Sequence, residues 1–257
     1  MLPVEFESSG NLLKGYFFPA RKYPVIASVI FLQGFPGIEG DELICERLAQ
    51  QNINVLTFNY RGTFQSEGFF SFSNTIGDID AAIQFITESH FQKQFGIETE
   101  KLVLGGWSFG SGLVPTGAAR YPEISKIFCI SGRDFGAEAC RIEQDPKYAQ
   151  DVFNNLEIIR KPNGPVNFQN TILEDLIHNQ ETLNAKILAS QLHENEILLI
   201  GGWNDEISAI EDHLLPFYRS LIKNGNQRVR IEALNTDHEF LNCRSQLVEI
   251  ITEWIDE

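Results

Sequence analysis

Short apolar runs alternating with helix-patterned segments predict an α/β protein with one mostly parallel central sheet and helices on both faces. Three observations carry this. Residues 25–32, 102–104 and 197–200 are short, nearly continuous apolar runs of the kind buried on both sheet faces, and 54–58 and 124–130 read as further short strands. Each is followed by a loop rich in glycine, proline or asparagine. Between them, apolar residues recur at helical spacing, most clearly Ile76, Ile79, Ile83 and Ile86.

In chain order, residues 4–7 and 12–18 read as an antiparallel pair turning at Ser9-Gly10-Asn11. Residues 25–32 form the first buried strand and empty into Gln33-Gly34-Phe35-Pro36-Gly37. A helix over 42–50 presents Leu43, Ile44 and Leu48, and a strand over 54–58 ends in the loop Asn59 to Gly68. The strand 102–104 runs into Gly105-Gly106-Trp107-Ser108-Phe109-Gly110, and the residues after Gly112 suit a helix. Strands at 124–130, 197–200 and 228–234 follow, and Leu247, Ile250, Ile251 and Trp254 mark the last helix. One interval, 135–194, breaks the alternation. It offers helix-like pieces at 149–159 and 171–190, separated by Pro162-Asn163-Gly164-Pro165. The division expected is a core of residues 1–134 and 195–257 with a helical cap or lid of 135–194; the alternative for that insert is a dimerisation element.

The 257 residues are enough for one large domain with a substantial core, and 43% hydrophobic with 21% charged residues is ordinary for a globular protein. A net charge of −15 disfavours polyanionic partners such as nucleic acid or an acidic membrane surface. No stretch approaches the roughly 20 apolar residues that span a bilayer. The first residues show neither a basic leader nor an apolar signal core, so a cytoplasmic location is expected. Cys45, Cys129, Cys140 and Cys243 are scattered, which fits neither a zinc site nor a disulfide framework, and Cys129 sits in an apolar run as a small buried residue. A homodimer remains open.

The chemistry gathers in loops after strands, where ligands sit in open parallel sheets. Ser108 on a tight strand-to-helix turn needs small neighbours, which Gly106 and Gly110 supply. Asp205 follows the strand at 197–200, and His238 follows the strand at 228–234. Glu206 and Asp212 are rival acids, set aside because Asp205 is nearest its strand end. A serine hydroxyl needs an imidazole to take its proton, a carboxylate to orient that ring, and backbone N–H groups to meet a developing oxyanion. The other histidines, His90 and His213 in surface helices and His178 and His193 in the insert, read as solvated or structural; Arg61 reads as an ion-pair partner.

Together these residues resemble the α/β-hydrolase superfamily over nearly the whole chain. The order Ser108, Asp205, His238 matches that family's nucleophile, acid and base, and Gly106-Trp107-Ser108-Phe109-Gly110 resembles its nucleophile elbow. Gln33-Gly34-Phe35-Pro36-Gly37 resembles its His-Gly-x-Pro-Gly oxyanion loop, and Tyr60-Arg61-Gly62 through Ser66-Glu67-Gly68 resembles a loop of serine-aminopeptidase-like and prolyl-oligopeptidase-like members. The resemblance implies a serine hydrolase with oxyanion donors at the backbone N–H of Phe35 and Phe109, and with no metal or organic cofactor. Gly34, Trp107 and Trp203 are candidates for substrate contact, the tryptophans equally for core or rim packing. The departures are Gln33 in place of histidine, Thr63 and Phe64 in place of a glycine-rich turn, Ser111, and Pro115 inside the helix after Ser108, where a kink or shifted first turns are expected. Phe35, Phe64, Phe69, Phe70, Phe72 and Phe109 suggest an apolar acyl or alcohol pocket, with core packing the alternative for most of them, and the substrate expected first is a carboxylic ester. A short peptide or amide is the alternative, and a non-catalytic binding protein of the same shape is a third reading.

Overall fold

In a computed structural model, which describes residues 1–37 and 39–257, eight strands form one sheet in the order β1-β2-β4-β3-β5-β6-β7-β8. The strands are β1 (Leu2–Ser8), β2 (Asn11–Phe18), β3 (Ala27–Leu32), β4 (Ile53–Phe58), β5 (Leu102–Trp107), β6 (Lys126–Ile130), β7 (Glu196–Gly202) and β8 (Val229–Leu234). β1 and β2 pair antiparallel, with Leu2 opposite Phe17, and β2 is antiparallel to β4. From β4 through β8 every pairing is parallel. The turn between β1 and β2 is tight because Ser9 and Gly10 both take positive φ, 49° and 77°.

Residue alternation along the strands splits the core in two. On one face Val29, Phe31, Val103 and Trp107 meet Ile44 and Leu48 of α1 (Glu39–Gln50) and Leu247, Ile251 and Trp254 of α10 (Arg244–Asp256). On the other, Ile30, Leu32 and Leu104 meet α2 (Phe72–Ile86), α4 (Phe109–Arg120) and α9 (Leu215–Lys223). α2 starts four residues before its first patterned isoleucine because the Ser71 side chain caps the N–H of Asn74. A short helix, α3 (Ser89–Phe95), carries too few apolar residues to announce itself and buries only Phe91.

Between β6 and β7 lie α5 (Phe135–Gln144), α6 (Pro146–Ile158), α7 (Ile172–His178) and α8 (Ala185–Leu188). The sequence misses α5 and runs α7 and α8 together. α5 is capped by Asp134, and α8 starts at a second cap, Asn184, which breaks the piece read as continuous. This region is bound to the loop after β4. Phe64 N–H donates to Pro165 O (2.8 Å), Phe70 N–H to Asn167 O (2.7 Å) and Asn167 N–H to Gly62 O (2.7 Å). These bonds hold Phe64 at φ 48°, a strained value for a bulky residue. α4 runs through Pro115 from Phe109 to Arg120, so the expected interruption does not shorten the helix. Among the described residues no helix is long and apolar enough to cross a membrane.

Arg61 is the structural ion-pair partner the sequence suggests. Its Nε donates to Asp78 Oδ1 at 2.6 Å, its N–H to Asp78 Oδ2 at 2.8 Å, and a terminal nitrogen to Asn74 O at 2.8 Å. Ser8 donates to the same carboxylate at 2.8 Å. Burial pushes the Asp78 carboxyl upward, and the bonds from Arg61 and Ser8 oppose it. The cluster fastens β1, the loop after β4 and α2 to one another. Asp78→Ala would leave a buried guanidinium without its carboxylate and is expected to cost about 3–5 kcal/mol. Urea unfolding checks this; a loss below about 1 kcal/mol would show that the pair holds little.

Candidate active site

The chain leaves β5 at Trp107 and starts α4 at Phe109, so Ser108 alone makes the turn, at φ 51° and ψ −112°. A non-glycine residue held there is strained and persists only where its surroundings fix it. Ser108 N–H donates to Ile130 O at 2.8 Å, and Gly112 N–H returns to Ser108 O at 3.1 Å. The flanking glycines are steric necessities. A Cβ on Gly110 would lie 2.0 Å from Leu32 O, and one on Gly106 would lie 2.7 Å from the Gly110 carbonyl carbon. The first turn of α4 therefore rests directly on the ends of β3 and β5, with Ser108 above them.

Two further loops reach this point. His238, in the loop after β8, is buried, and its Nε2 lies 2.8 Å from Ser108 Oγ. Its Nδ1 lies 2.8 Å from Oδ2 of Asp205, in the loop after β7. The other Asp205 oxygen accepts from the N–H groups of Ile207 (2.9 Å) and Ser208 (2.7 Å). The rival acids Glu206 and Asp212 are exposed. Burial pushes the Asp205 carboxyl up, but hydrogen bonds from His238, the Ser208 N–H and Ser131 outweigh it and hold the group at about 2. The carboxylate is thus ionised at neutral pH and fixes Nδ1 as the protonated ring nitrogen, leaving Nε2 to accept from the serine.

No protein-family model matches the chain. The uncharacterised protein YfhR of Salmonella typhi is 30% identical over 118 residues, which span 42% of this chain and 39% of that protein. YfhR of Escherichia coli strain K12 is 30% identical over 112 residues, 42% of this chain and 38% of that protein. The chain thus spans well under half the length of these curated relatives. Solved structures align over almost its full length. The esterase domain of a Rhodothermus marinus protein has a TM-score of 0.66 at 18% identity, covering 99% of this chain and 97% of that one. Est1E of Butyrivibrio proteoclasticus has a TM-score of 0.71 at 14% identity, covering 99% and 98%. An α/β serine hydrolase homologue from Coxiella burnetii has a TM-score of 0.63 at 11% identity, covering 98% and 97%. The chain has the α/β-hydrolase fold.

In the α/β-hydrolase fold as built here, the loop after β3 is secured without the usual histidine. Gln33 Nε2 donates to Phe58 O at 2.6 Å and to Asn59 Oδ1 at 2.8 Å, and the Tyr60 hydroxyl donates to Gln33 O at 3.1 Å. Gln33 thereby ties the loop to the end of β4. Gly34 is buried, and the Phe35 ring lies tilted against those of Phe109, at 5.1 Å, and Phe70, at 4.4 Å. Beside Ser108 opens a cavity of about 230 Å³ lined by Phe35, Phe70, Phe72, Phe109, Phe135 and, from the 135–194 region, Val152, Leu156, Leu173 and Leu176. Ile207, Arg133 and Glu138 complete it. The sequence flagged four of those phenylalanines; Phe64 and Phe69 lie outside the cavity and are partly exposed. Arg133 and Glu138 carry no recognisable motif, and only the fold brings them to Ser108.

Neither tryptophan lines this cavity. Strand alternation turns Trp107 to the face opposite α4, where it is 1% exposed and its ring meets Phe240 at 5.6 Å. Trp203 is 61% exposed on the loop after β7. His90, His178 and His193 are exposed, but His213 is not the surface residue expected. It is half-buried on a π-helical turn (Ile210–Leu214), and its Nδ1 accepts from Asp134 N–H at 3.3 Å. Burial and the nearby Arg133 lower its pKa. Cys129 is buried, and its thiol is pushed up to about 12. Among the described residues no cluster of three or more histidine, cysteine or acidic side chains is placed to hold a metal ion.

The depressed Asp205 pKa has a consequence for stability. The folded group titrates near 2, below its ordinary 3.8, so between these values the unfolded chain binds more protons and stability rises with pH. The contribution is complete above about pH 5 and is lost as the pH falls through 4 toward 2. The gap in urea midpoint between wild type and Asp205→Asn should therefore be constant above pH 5 and narrow below it. A gap that ignores pH would contradict the assignment of the low pKa to this carboxylate.

Proposed function

We propose that this protein is a serine hydrolase that cleaves carboxylic esters with apolar acyl groups through an acyl-enzyme. The unbroken chain Asp205–His238–Ser108, with both links at 2.8 Å, carries the reading. His238 Nε2 takes the Ser108 proton as Oγ attacks the ester carbonyl, and the resulting imidazolium is stabilised by Asp205. The negative oxygen of the tetrahedral intermediate meets the N–H groups of Phe109 and Phe35. Phe109 is the first residue of α4, so its N–H is one of the donors a helix leaves without an intrahelical partner, at the positive end of the helix dipole. His238 then protonates the leaving alkoxide, and a water activated by the same nitrogen releases the acid. The apolar cavity beside Ser108 supports an apolar acyl group; at interior packing density about 230 Å³ takes roughly ten heavy atoms.

The 135–194 region is read as a cap over this cavity. α6 has no fully buried residue and contributes Val152 and Leu156 to the lining. The hydrogen bonds to the loop after β4 lie beyond α6, around Pro165 and Asn167, so the cap is anchored on that side.

A fluorophosphonate probe should label wild type at Ser108 and leave Ser108→Ala unlabelled. With p-nitrophenyl acyl esters, His238→Ala should lower kcat/KM by about a thousandfold or more. An unlabelled wild type would favour a non-catalytic binding role, and faster turnover of aminoacyl-nitroanilides would favour a peptidase.

A further inference from the structure

The cavity beside Ser108 is apolar except at one place. Arg133, three residues beyond the end of β6, and Glu138, in the first turn of α5, both line it. A terminal nitrogen of Arg133 donates to Glu138 Oε2 at 3.1 Å, and the Tyr148 hydroxyl donates to Glu138 Oε1 at 2.7 Å. Glu138 is thus largely buried and held by two donors, which fixes its carboxylate. The Arg133 Nε is buried as well and finds no acceptor among the described residues. The Arg133 side chain as a whole is 31% exposed, so the ion pair forms a polar spot that a group entering the cavity meets.

The kind of group follows from the charge. Glu138 already offsets Arg133, so an anionic substituent would face a carboxylate beside its cation, while a purely alkyl group would displace water from the pair and offer it no hydrogen bond. A neutral hydroxyl satisfies both partners, accepting from Arg133 and donating to Glu138. The flat faces of Phe35, Phe70, Phe109 and Phe135 around the cavity suit an aromatic ring as the carrier. We infer that Arg133 and Glu138 form a specificity pair that selects acyl esters bearing a neutral hydroxyl on the acyl group. This rests on the hydrolase reading above and specifies its substrate class.

The test uses two nearly isosteric substrates, p-nitrophenyl 3-(4-hydroxyphenyl)propanoate and p-nitrophenyl 3-phenylpropanoate. Wild type should favour the hydroxylated ester by about tenfold or more in kcat/KM, and Arg133→Met should bring the ratio to about one. Glu138→Gln, which keeps an acceptor for Arg133 but removes the opposing charge, should instead raise turnover of p-nitrophenyl hydrogen glutarate, which carries a carboxylate on its acyl chain, relative to the hexanoate ester. A wild-type ratio near one, or a ratio unchanged in Arg133→Met, would overturn the assignment. A second arm separates this from failure of the hydrolase reading. In Ser108→Ala, calorimetry with the two methyl esters should show tighter binding of the hydroxylated one by a similar factor, whether or not wild type turns over either ester. Equal affinities there would count against the pair alone.

Discussion

The close approach of the first turn of α4 to the ends of β3 and β5 is the constraint on which the site depends. Leu32 O lies where a Cβ on Gly110 would be, and the Gly110 backbone lies where one on Gly106 would be. Because the helix cannot retreat, Ser108 is held at positive φ between a strand and a helix that are both fully engaged. The hydroxyl is then fixed relative to the sheet, and not merely carried on a loop. Everything else at the site is placed by neighbouring strands of that sheet. β7 delivers Asp205 and β8 delivers His238, with parallel registers that end each strand at the same rim. Tolerances of a few tenths of an ångström across three loops are reachable only because the loops start from one hydrogen-bonded frame.

How far the sequence discloses this varies with the kind of signal. Strands buried on both faces show as apolar runs, and glycines forced by close contact show as a spaced pattern, so β3, β5, β7 and the Ser108 turn were readable. The order of serine, aspartate and histidine was readable because each follows a strand. What was hidden depended on three dimensions. Trp107 sits beside Ser108 in sequence but on the opposite face of the sheet, since one residue along a strand reverses the side chain. His213 lay in what looked like a surface helix, yet the loop after β6 places the Asp134 N–H against its ring. Arg133 and Glu138 follow a strand end like the other site residues, but they lack a pattern and gain meaning only from the cavity they line. Helices α5 and α8 escaped because they are set by single capping side chains, Asp134 and Asn184, more than by a long apolar stripe.

The departures from the hydrolase pattern are compensated locally. A glutamine at position 33 gives up the ring of a histidine but spans Phe58 O and Asn59 with one amide nitrogen, while its own carbonyl receives the Tyr60 hydroxyl. The loop that carries Phe35 is therefore pinned through Gln33 to the end of β4 and the residues just beyond it. Phe64 occupies a positive φ that a glycine would adopt at lower cost, and its backbone is gripped by Pro165 O and the Lys161 ammonium. Strain at Phe64 is thus tied to the attachment of the 135–194 region. Substituting glycine there would relieve the backbone and remove a bulky ring that lies beside Gly37, so the loop after β3 and the attachment of the 135–194 region would loosen together.

The same coupling bears on how a substrate enters. The cavity walls come from two sources: Phe35, Phe70, Phe72 and Phe109 belong to the sheet side, whereas Val152, Leu156, Leu173 and Leu176 belong to the insert. The sheet-side rings contact one another at centroid separations of 4.4 to 6.0 Å, a cluster that keeps its shape whatever covers it. α7 is fixed to α2 through Asp175, which accepts from Ser73 N–H and hydroxyl. α6 has no comparable anchor to the core; its start is capped by Asp145 and its apolar face meets the cavity with half-buried residues. If any wall of the cavity yields, the physics points to α6, which among the described helices between β6 and β7 is the one with no fully buried residue. Tyr148, near the start of α6, holds Glu138, so displacement of that helix would also alter the polar patch that Arg133 and Glu138 form in the cavity wall.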